Sequence, residues 1–153
     1  MLLGHRTWEF QNKPVIVSTA TVGGPFEAKG KLADDFDLLH EDLWLGQDSY
    51  EKAEKVLLEE AFLRTTEKAG LTKDQVQFVL AGNLINQMTP VSFAVSTLGV
   101  PFLGVFGACS TSMEGLALAA LIVDSQAGKY VLTGAVSHNA AAEKQFRYPT
   151  EYG

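Results

Sequence analysis

The segment best suited to catalysis or ligand binding is residues 107–115. It reads Gly-Ala-Cys-Ser-Thr-Ser-Met-Glu-Gly and includes Cys109, the one cysteine of the sequence. An apolar run precedes the segment and small, apolar residues follow it, which predicts a strand, a tight turn and a helix that begins near the cysteine. A helix N-terminus favours an anion through its free N–H groups and its dipole. The turn is therefore suited to form a thiolate, to hold a ligand carboxylate, or to do both. The plainer alternative is a cysteine that fills core space.

A nucleophilic cysteine needs a base, and His138 is the best local candidate. It lies in the sequence Ser-His-Asn, just after a predicted strand, as Cys109 also does. Because parallel strands gather their binding loops at their C-terminal ends, we expect both residues at one edge of a sheet. The ordinary alternative is a surface-loop histidine. We interpret His5 and His40 as structural or exposed residues. No two histidines have the spacing of metal ligands, so we expect no metal and no cofactor.

Other polar side chains can contribute to such a site. Arg147 supplies positive charge for a carboxylate, although a solvated loop charge is the ordinary interpretation. Asn83 and Asn86 follow another predicted strand, where they either line a pocket with amides or form a turn. Glu114 lies in an apolar helix and needs a partner there, for which a structural hydrogen bond is the expectation.

The amino-acid composition limits the classes of protein to which this chain can belong. The 153 residues are enough for one domain, and contents of 46% hydrophobic and 20% charged residues are typical of a folded globular chain. A net charge of −6 argues against nonspecific binding of nucleic acid. One cysteine forms no internal disulfide, which favours an intracellular, reducing compartment. We find no signal peptide and no transmembrane segment, so we expect any membrane association to be peripheral.

The elements that must position these residues alternate along the chain. We predict strands over 15–20, 76–81, 102–106 and 130–136, and helices over 48–69, 89–99 and 112–127. Asp48 or Ser49 can cap the first of these helices, and the second is expected to begin with a capping hydroxyl at Thr89 and to end at Gly99. This order predicts an α/β fold, a mostly parallel sheet with helices on both faces. The helix after Cys109 is apolar or small on all sides, so we expect it to be buried between layers.

Residues 108–112 are similar to the nucleophile turn of the thiolase and β-ketoacyl synthase superfamily, in which a cysteine at the head of a buried helix takes an acyl group. The chain resembles more closely the stage V sporulation protein AD family. Residues 107–114, 137–140 and 143–153 carry that resemblance, which extends over nearly the whole chain.

The resemblance implies a thiolase-like fold of two similar halves, with residues 1–153 as the N-terminal half-domain. It also implies a sporulation protein that binds dipicolinic acid (pyridine-2,6-dicarboxylate) and aids its uptake into the developing spore. Such a protein is expected to form a homodimer and to act at the spore inner membrane with other membrane proteins of its operon. The implied ligand-binding residues are Cys109, Ser110, His138, Asn139, Arg147 and Asn86.

Two alternatives remain beside binding. The first is a condensing-enzyme-type acyltransferase with Cys109 as its nucleophile. In a condensing thiolase the catalytic histidine and its partner come from the second half, so this chain alone lacks that base. The second alternative is a dimer scaffold without a small ligand. We favour binding, because the matching motifs extend well beyond the cysteine turn.

Overall fold

The computed structural model describes residues 1–84 and 88–147 of the chain. Its strands are β1 (Leu2–Leu3), β2 (Thr7–Trp8), β3 (Val22–Gly23), β4 (Leu38–Leu39), β5 (Phe78–Asn83), β6 (Phe102–Gly104) and β7 (Val131–Val136). Its α-helices are α1 (Tyr50–Lys68), α2 (Thr89–Leu98), α3 (Thr111–Asp124) and α4 (Asn139–Arg147). Single 3₁₀ turns lie at Glu27–Lys29, Ala33–Asp35, Lys73–Gln75 and Ala108–Ser110.

A parallel three-stranded sheet in the order β6-β5-β7 forms the centre of the fold. Val79 of β5 lies beside Phe102 of β6 on one side and beside Leu132 of β7 on the other. The strand β5 is buried along nearly its whole length, and Asn83 at its end is buried too. This pattern is typical of a central parallel strand with helices on both faces, as the sequence predicted.

The two faces of the sheet carry different helices. Side chains alternate along a strand, and Val79 and Ala81 join the hydrophobic core that includes Phe62 of α1. On the other face, a Cβ added to Gly82 would lie 2.7 Å from the methyl group of Thr111, the first residue of α3. The helices α1 and α2 therefore cover one face, and α3 covers the opposite face.

The predicted helices and the last three predicted strands are present, with ends shifted by a few residues. The helix α1 begins as expected, since the Ser49 side chain accepts a hydrogen bond from the Lys52 N–H at 3.2 Å. The start of α2 differs from the prediction. Its N-cap residue is Met88 in the left-handed region (φ 50°), so the Thr89 hydroxyl does not cap the helix. Gly99, also left-handed, ends α2 as predicted.

The prediction of a strand over residues 15–20 is wrong. The segment is paired in none of the sheets of the described chain, and Val15, Ile16 and Val17 are 79%, 67% and 60% exposed. Asn12 binds Asp124 at the end of α3, and the Ser18 hydroxyl donates to a carbonyl of α1 at 2.6 Å. A β-branched run favours extended backbone, but a strand also requires a neighbouring strand to pair with.

The expectation that α3 is buried on all sides is also wrong. One row of small residues faces the sheet, namely Thr111, Gly115 and Ala119. Met113, Leu118 and Leu121 are exposed, because the sheet covers α3 from one side and no other described element covers the opposite side. Of the helices in residues 1–84 and 88–147, none combines the length and the apolar character that a membrane crossing requires.

Candidate functional site

The cysteine turn, residues 107–111, connects β6 to α3. Cys109 lies in the 3₁₀ turn directly before α3, and its side chain is exposed. The Gly107 N–H donates to the Thr111 hydroxyl at 3.1 Å, and the Ser110 N–H donates to the Gly107 carbonyl at 3.0 Å. Hydrogen bonds within the turn therefore stabilise it. They hold Cys109 at a helix N-terminus, where the helix dipole favours an anion. The alternative of a core-filling cysteine does not hold in the described chain.

This turn is stabilised by Ser110, the N-cap residue of α3, and by Glu114 in the first turn of α3. The Ser110 hydroxyl lies 2.9 Å from Glu114 Oε1 and 3.0 Å from the Gly107 carbonyl oxygen. A Cβ added to Gly107 would lie 2.1 Å from both the Ser110 hydroxyl and the Glu114 carboxylate, so a larger residue there would displace these two side chains. The structural hydrogen bond expected for Glu114 is present. The ligand role of Ser110 stays a prediction.

His138 lies between β7 and α4, and it is a buried residue rather than a surface-loop histidine. Its Nε2 lies 2.8 Å from the carbonyl oxygen of Leu43, so Nε2 carries the ring proton and donates it there. The ring stacks on Tyr50 at 5.0 Å between centroids, and Tyr50 stacks on Trp44 at 4.2 Å. The second ring nitrogen, Nδ1, is buried without a hydrogen-bond partner among the described residues.

The structure places Cys109 and His138 after β6 and β7, the two strands that flank β5. Cys109 is at the head of α3, on one face of the sheet, whereas the His138 ring contacts Tyr50 at the start of α1, on the other face. Both residues lie toward the C-terminal ends of the strands, as expected. The ring contacts of His138 give no support for a Cys–His catalytic pair.

Glu54 and Asn83 complete a buried polar group around His138. Glu54 is 2% exposed and Asn83 is 1% exposed, and the Asn83 Nδ2 donates to Glu54 Oε1 at 3.4 Å. Burial raises the pKa of Glu54 to about 7, against the opposing effects of the Asn83 amide and the His138 backbone N–H. The nearby Glu51 adds to this rise in pKa. We call Glu54, Asn83 and His138 the buried polar cluster.

Glu54 is a functional candidate that the sequence analysis missed. It occupies the same row of α1 as Leu58 and Phe62, four and eight residues further on, and all three are buried. A carboxylate in the core-facing row of an otherwise well-marked helix is a signal that the sequence does contain.

The other predicted site residues have exposed or undescribed positions. Asn139 is the first residue of α4 and is exposed. Arg147 Nε lies 2.7 Å from Glu143 Oε2, one turn earlier on α4, and its side chain is exposed. Asn86 lies outside the described residues. Within residues 1–84 and 88–147, no three His, Cys, Asp or Glu side chains are grouped so as to hold a metal ion.

The fold defines an α/β protein whose parallel sheet carries a cysteine turn and a buried polar cluster near its strand ends. The family model of stage V sporulation protein AD matches residues 4–153. The chain is also 44% identical, over 152 residues, to the stage V sporulation protein AD of Bacillus subtilis (strain 168). It therefore belongs to the stage V sporulation protein AD family, a family of sporulation proteins, as its resemblance predicted. The match covers 99% of this chain and 45% of that relative, so the chain spans less than half the relative's length.

Proposed function

We propose that this protein serves sporulation by binding dipicolinic acid and aiding its uptake into the developing spore. The observation that supports binding most directly is the exposed Cys109 at the head of α3. Membership of the sporulation family supports the biological setting. The thiolase-like character of the fold, the homodimer, and the action with membrane proteins at the spore inner membrane belong to the same proposal and rest on the resemblance.

The ligand is a flat aromatic ring with two carboxylates, so a site must offer donors to both carboxylates and admit the ring between them. The N-terminus of α3 suits one carboxylate, and the small residues Gly107, Ala108 and Cys109 leave its backbone open to approach. The second carboxylate needs a donor from another loop at this edge of the sheet. Asn139 is the candidate we favour, because it is exposed at the start of α4 and lies next to His138. Arg147 is a further cationic candidate on the same helix.

Calorimetric titration of dipicolinate into the folded chain tests this proposal. We expect saturable binding that weakens roughly tenfold in Cys109→Ala and in Asn139→Ala, since each change disturbs the contact to one carboxylate. Ser96→Ala, an exposed substitution on α2, is the matched control and should bind as the wild type does. Pyridine-2-carboxylate, with one carboxylate fewer, should bind more weakly than dipicolinate. A folded wild type that shows no saturable binding would contradict the proposal.

The acyltransferase alternative has one observation in its favour, the same exposed cysteine at a helix N-terminus. It predicts a thioester on Cys109 after incubation with an acyl-CoA, visible as the acyl mass added to the intact protein and absent in Cys109→Ala. Saturable dipicolinate binding without any such adduct would leave binding as the function.

A further inference from the structure

The cysteine turn contains a residue in an unfavourable backbone conformation. Ala108, directly before Cys109, has a left-handed backbone with φ at 49°. A residue with a Cβ rarely adopts this conformation, because its Cβ comes too close to the backbone. Such a residue persists only where the surrounding contacts enforce its conformation. The shape of the turn therefore depends on contacts that hold its two ends, Gly107 and Ser110.

One of these contacts comes from Thr111, the first residue of α3. Its hydroxyl oxygen accepts a hydrogen bond from the Gly107 N–H at 3.1 Å, and Thr111 is only 1% exposed. The methyl group of Thr111 faces Gly82 of β5. Thr111 therefore attaches the start of the turn to the buried side of α3.

The second contact comes from Glu114. The Ser110 hydroxyl has one proton and two acceptors within reach, Glu114 Oε1 at 2.9 Å and the Gly107 carbonyl oxygen at 3.0 Å. The Ser110 N–H already donates to that carbonyl at 3.0 Å, and a carboxylate is the stronger acceptor, so the hydroxyl proton goes to Glu114. A Cβ added to Gly107 would lie 2.1 Å from Glu114 Oε1, so the carboxylate also lies against Gly107. Glu114 thus contacts both ends of the segment that contains Ala108 and Cys109.

The hydroxyl of Ser110 serves the turn rather than the helix. A serine at an N-cap usually accepts a hydrogen bond from an N–H group of the first helical turn. Ser110 occupies the N-cap of α3, but its side chain makes no such bond. Its hydroxyl is directed to Glu114 and Gly107 instead.

We propose that Glu114 is a positioning residue, which acts through Ser110 to hold the cysteine turn in the conformation that exposes Cys109. The inference rests on the proposed function for its effect on ligand, because there the head of α3 receives one carboxylate of dipicolinate. Without the Glu114 acceptor, Ala108 relaxes toward a commoner backbone conformation. Cys109 and the N–H groups beside it then lose their fixed positions.

The charge of Glu114 and its positioning role have opposite effects on a dicarboxylate ligand. A negative group at the head of α3 repels an anion, so by charge alone its removal strengthens binding. Loss of the positioning contact weakens binding. A weaker affinity in Glu114→Ala therefore reports the positioning role and not the charge.

Calorimetric titration of dipicolinate into folded variants tests this. We expect Glu114→Ala to weaken binding about fivefold, whereas Glu114→Gln keeps an acceptor for the Ser110 hydroxyl and should bind at least as tightly as the wild type. Ser110→Ala should weaken binding as much as Glu114→Ala does, and the double variant no further, because both changes remove the same contact. Glu67→Ala, an exposed substitution on α1, is the control and should bind as the wild type does.

Two results of the titration would overturn the inference. The first is an unchanged or tighter affinity in Glu114→Ala. The second is a double variant whose loss equals the two single losses combined, because Ser110 would then contact the ligand independently of Glu114.

Amide hydrogen exchange in the ligand-free protein is a second measurement. The N–H groups of Gly107 and Ser110 both donate within the turn, so they should exchange about fivefold faster in Glu114→Ala and at the wild-type rate in Glu114→Gln. If exchange follows this pattern but dipicolinate does not bind the wild type, the proposed function fails and the positioning role stands. If dipicolinate binds but Glu114→Ala matches the wild type in affinity and exchange, the positioning role is overturned and the proposed function stands.

Discussion

Gly82 and Val105 approach each other so closely that only glycine fits at position 82. A Cβ added to Gly82 would lie 1.9 Å from the Val105 carbonyl oxygen. The Val105 N–H in turn donates to the Ala81 carbonyl at 3.0 Å, just beyond the last paired residue of β6. This contact brings the chain after β6 against β5 and so fixes where the cysteine turn begins.

Gly82→Ala should destabilise the protein strongly. Because the clash involves backbone on both sides, relief requires β5 and the segment before the cysteine turn to separate. We expect a loss of about 3 kcal/mol in the free energy of unfolding, measured by urea titration. Gly24→Ala is the control, since an added Cβ there meets only the Glu27 carboxylate at 3.4 Å, and it should change the stability by less than about 1 kcal/mol. Equal stabilities of the two variants would contradict the close approach at Gly82.

Glu54 should make the stability of the protein fall as the pH rises. Its pKa is raised from 4.5 to about 7 on folding, so between these values the folded state holds a proton that the unfolded state has lost. Stability is therefore highest below about pH 4.5 with respect to this group, and above pH 7 it is lower by about 3 kcal/mol.

Chemical unfolding of the wild type and Glu54→Gln at several pH values checks this. The variant cannot ionise at position 54, so its stability relative to the wild type should increase from pH 4.5 to pH 8. Asp37 and Asp48 have pKa values that are lowered by Lys68 and Lys52, so they change charge at lower pH. Both residues are present in both proteins, so their effect cancels in the comparison. A constant difference between the two proteins across the pH range would show that Glu54 keeps its ordinary acidity.

The sequence predicted those features that depend on neighbouring residues. The start of α1 at Ser49, the glycine that ends α2, and the cysteine turn before α3 all follow from local capping and turn chemistry. Residues 15–20 were predicted wrongly because strand formation depends on a pairing partner, which a β-branched run does not reveal. Likewise, the all-apolar pattern of α3 shows what the helix can bury but not how many sides are covered.

The candidate site was predictable only in part. The position of Cys109 in a turn before a helix follows from the local sequence, which left its exposure open. The burial of His138 depends on Leu43 and Tyr50, which lie far away in the chain. The faces on which Cys109 and His138 lie also depend on how the strands pair, because each strand has two faces. For Glu54 the reverse holds. Its position in the core-facing row of α1 could be read from the sequence, whereas its interaction with Asn83 became evident only in the structure.

Removal of the N-cap of α1 should lower the stability of the protein by a small amount. Ser49→Ala removes the side chain that accepts the Lys52 N–H, so one backbone donor at the helix start loses its partner. We expect the free energy of unfolding to fall by about 1 kcal/mol. Ser49→Asp should restore most of it, because aspartate is also a good N-cap and adds a favourable charge at this end of the helix dipole. Thermal unfolding of the three proteins at one pH measures the effect, and an unchanged melting temperature in Ser49→Ala would contradict the cap.

Cys109 should react with a thiol reagent in the folded protein, and dipicolinate should slow the reaction. The side chain is exposed, and the sequence has no second cysteine, so one thiol per chain should react with a disulfide reagent without denaturant. A dicarboxylate bound at the head of α3 would cover the sulfur. The labelling rate should then decrease with dipicolinate concentration along the same saturation curve as the calorimetric titration. Benzoate, with a single carboxylate, is the control ligand and should protect weakly. Reaction only after unfolding would contradict the exposed position of Cys109, and labelling unaffected by saturating dipicolinate would place the ligand away from the cysteine turn.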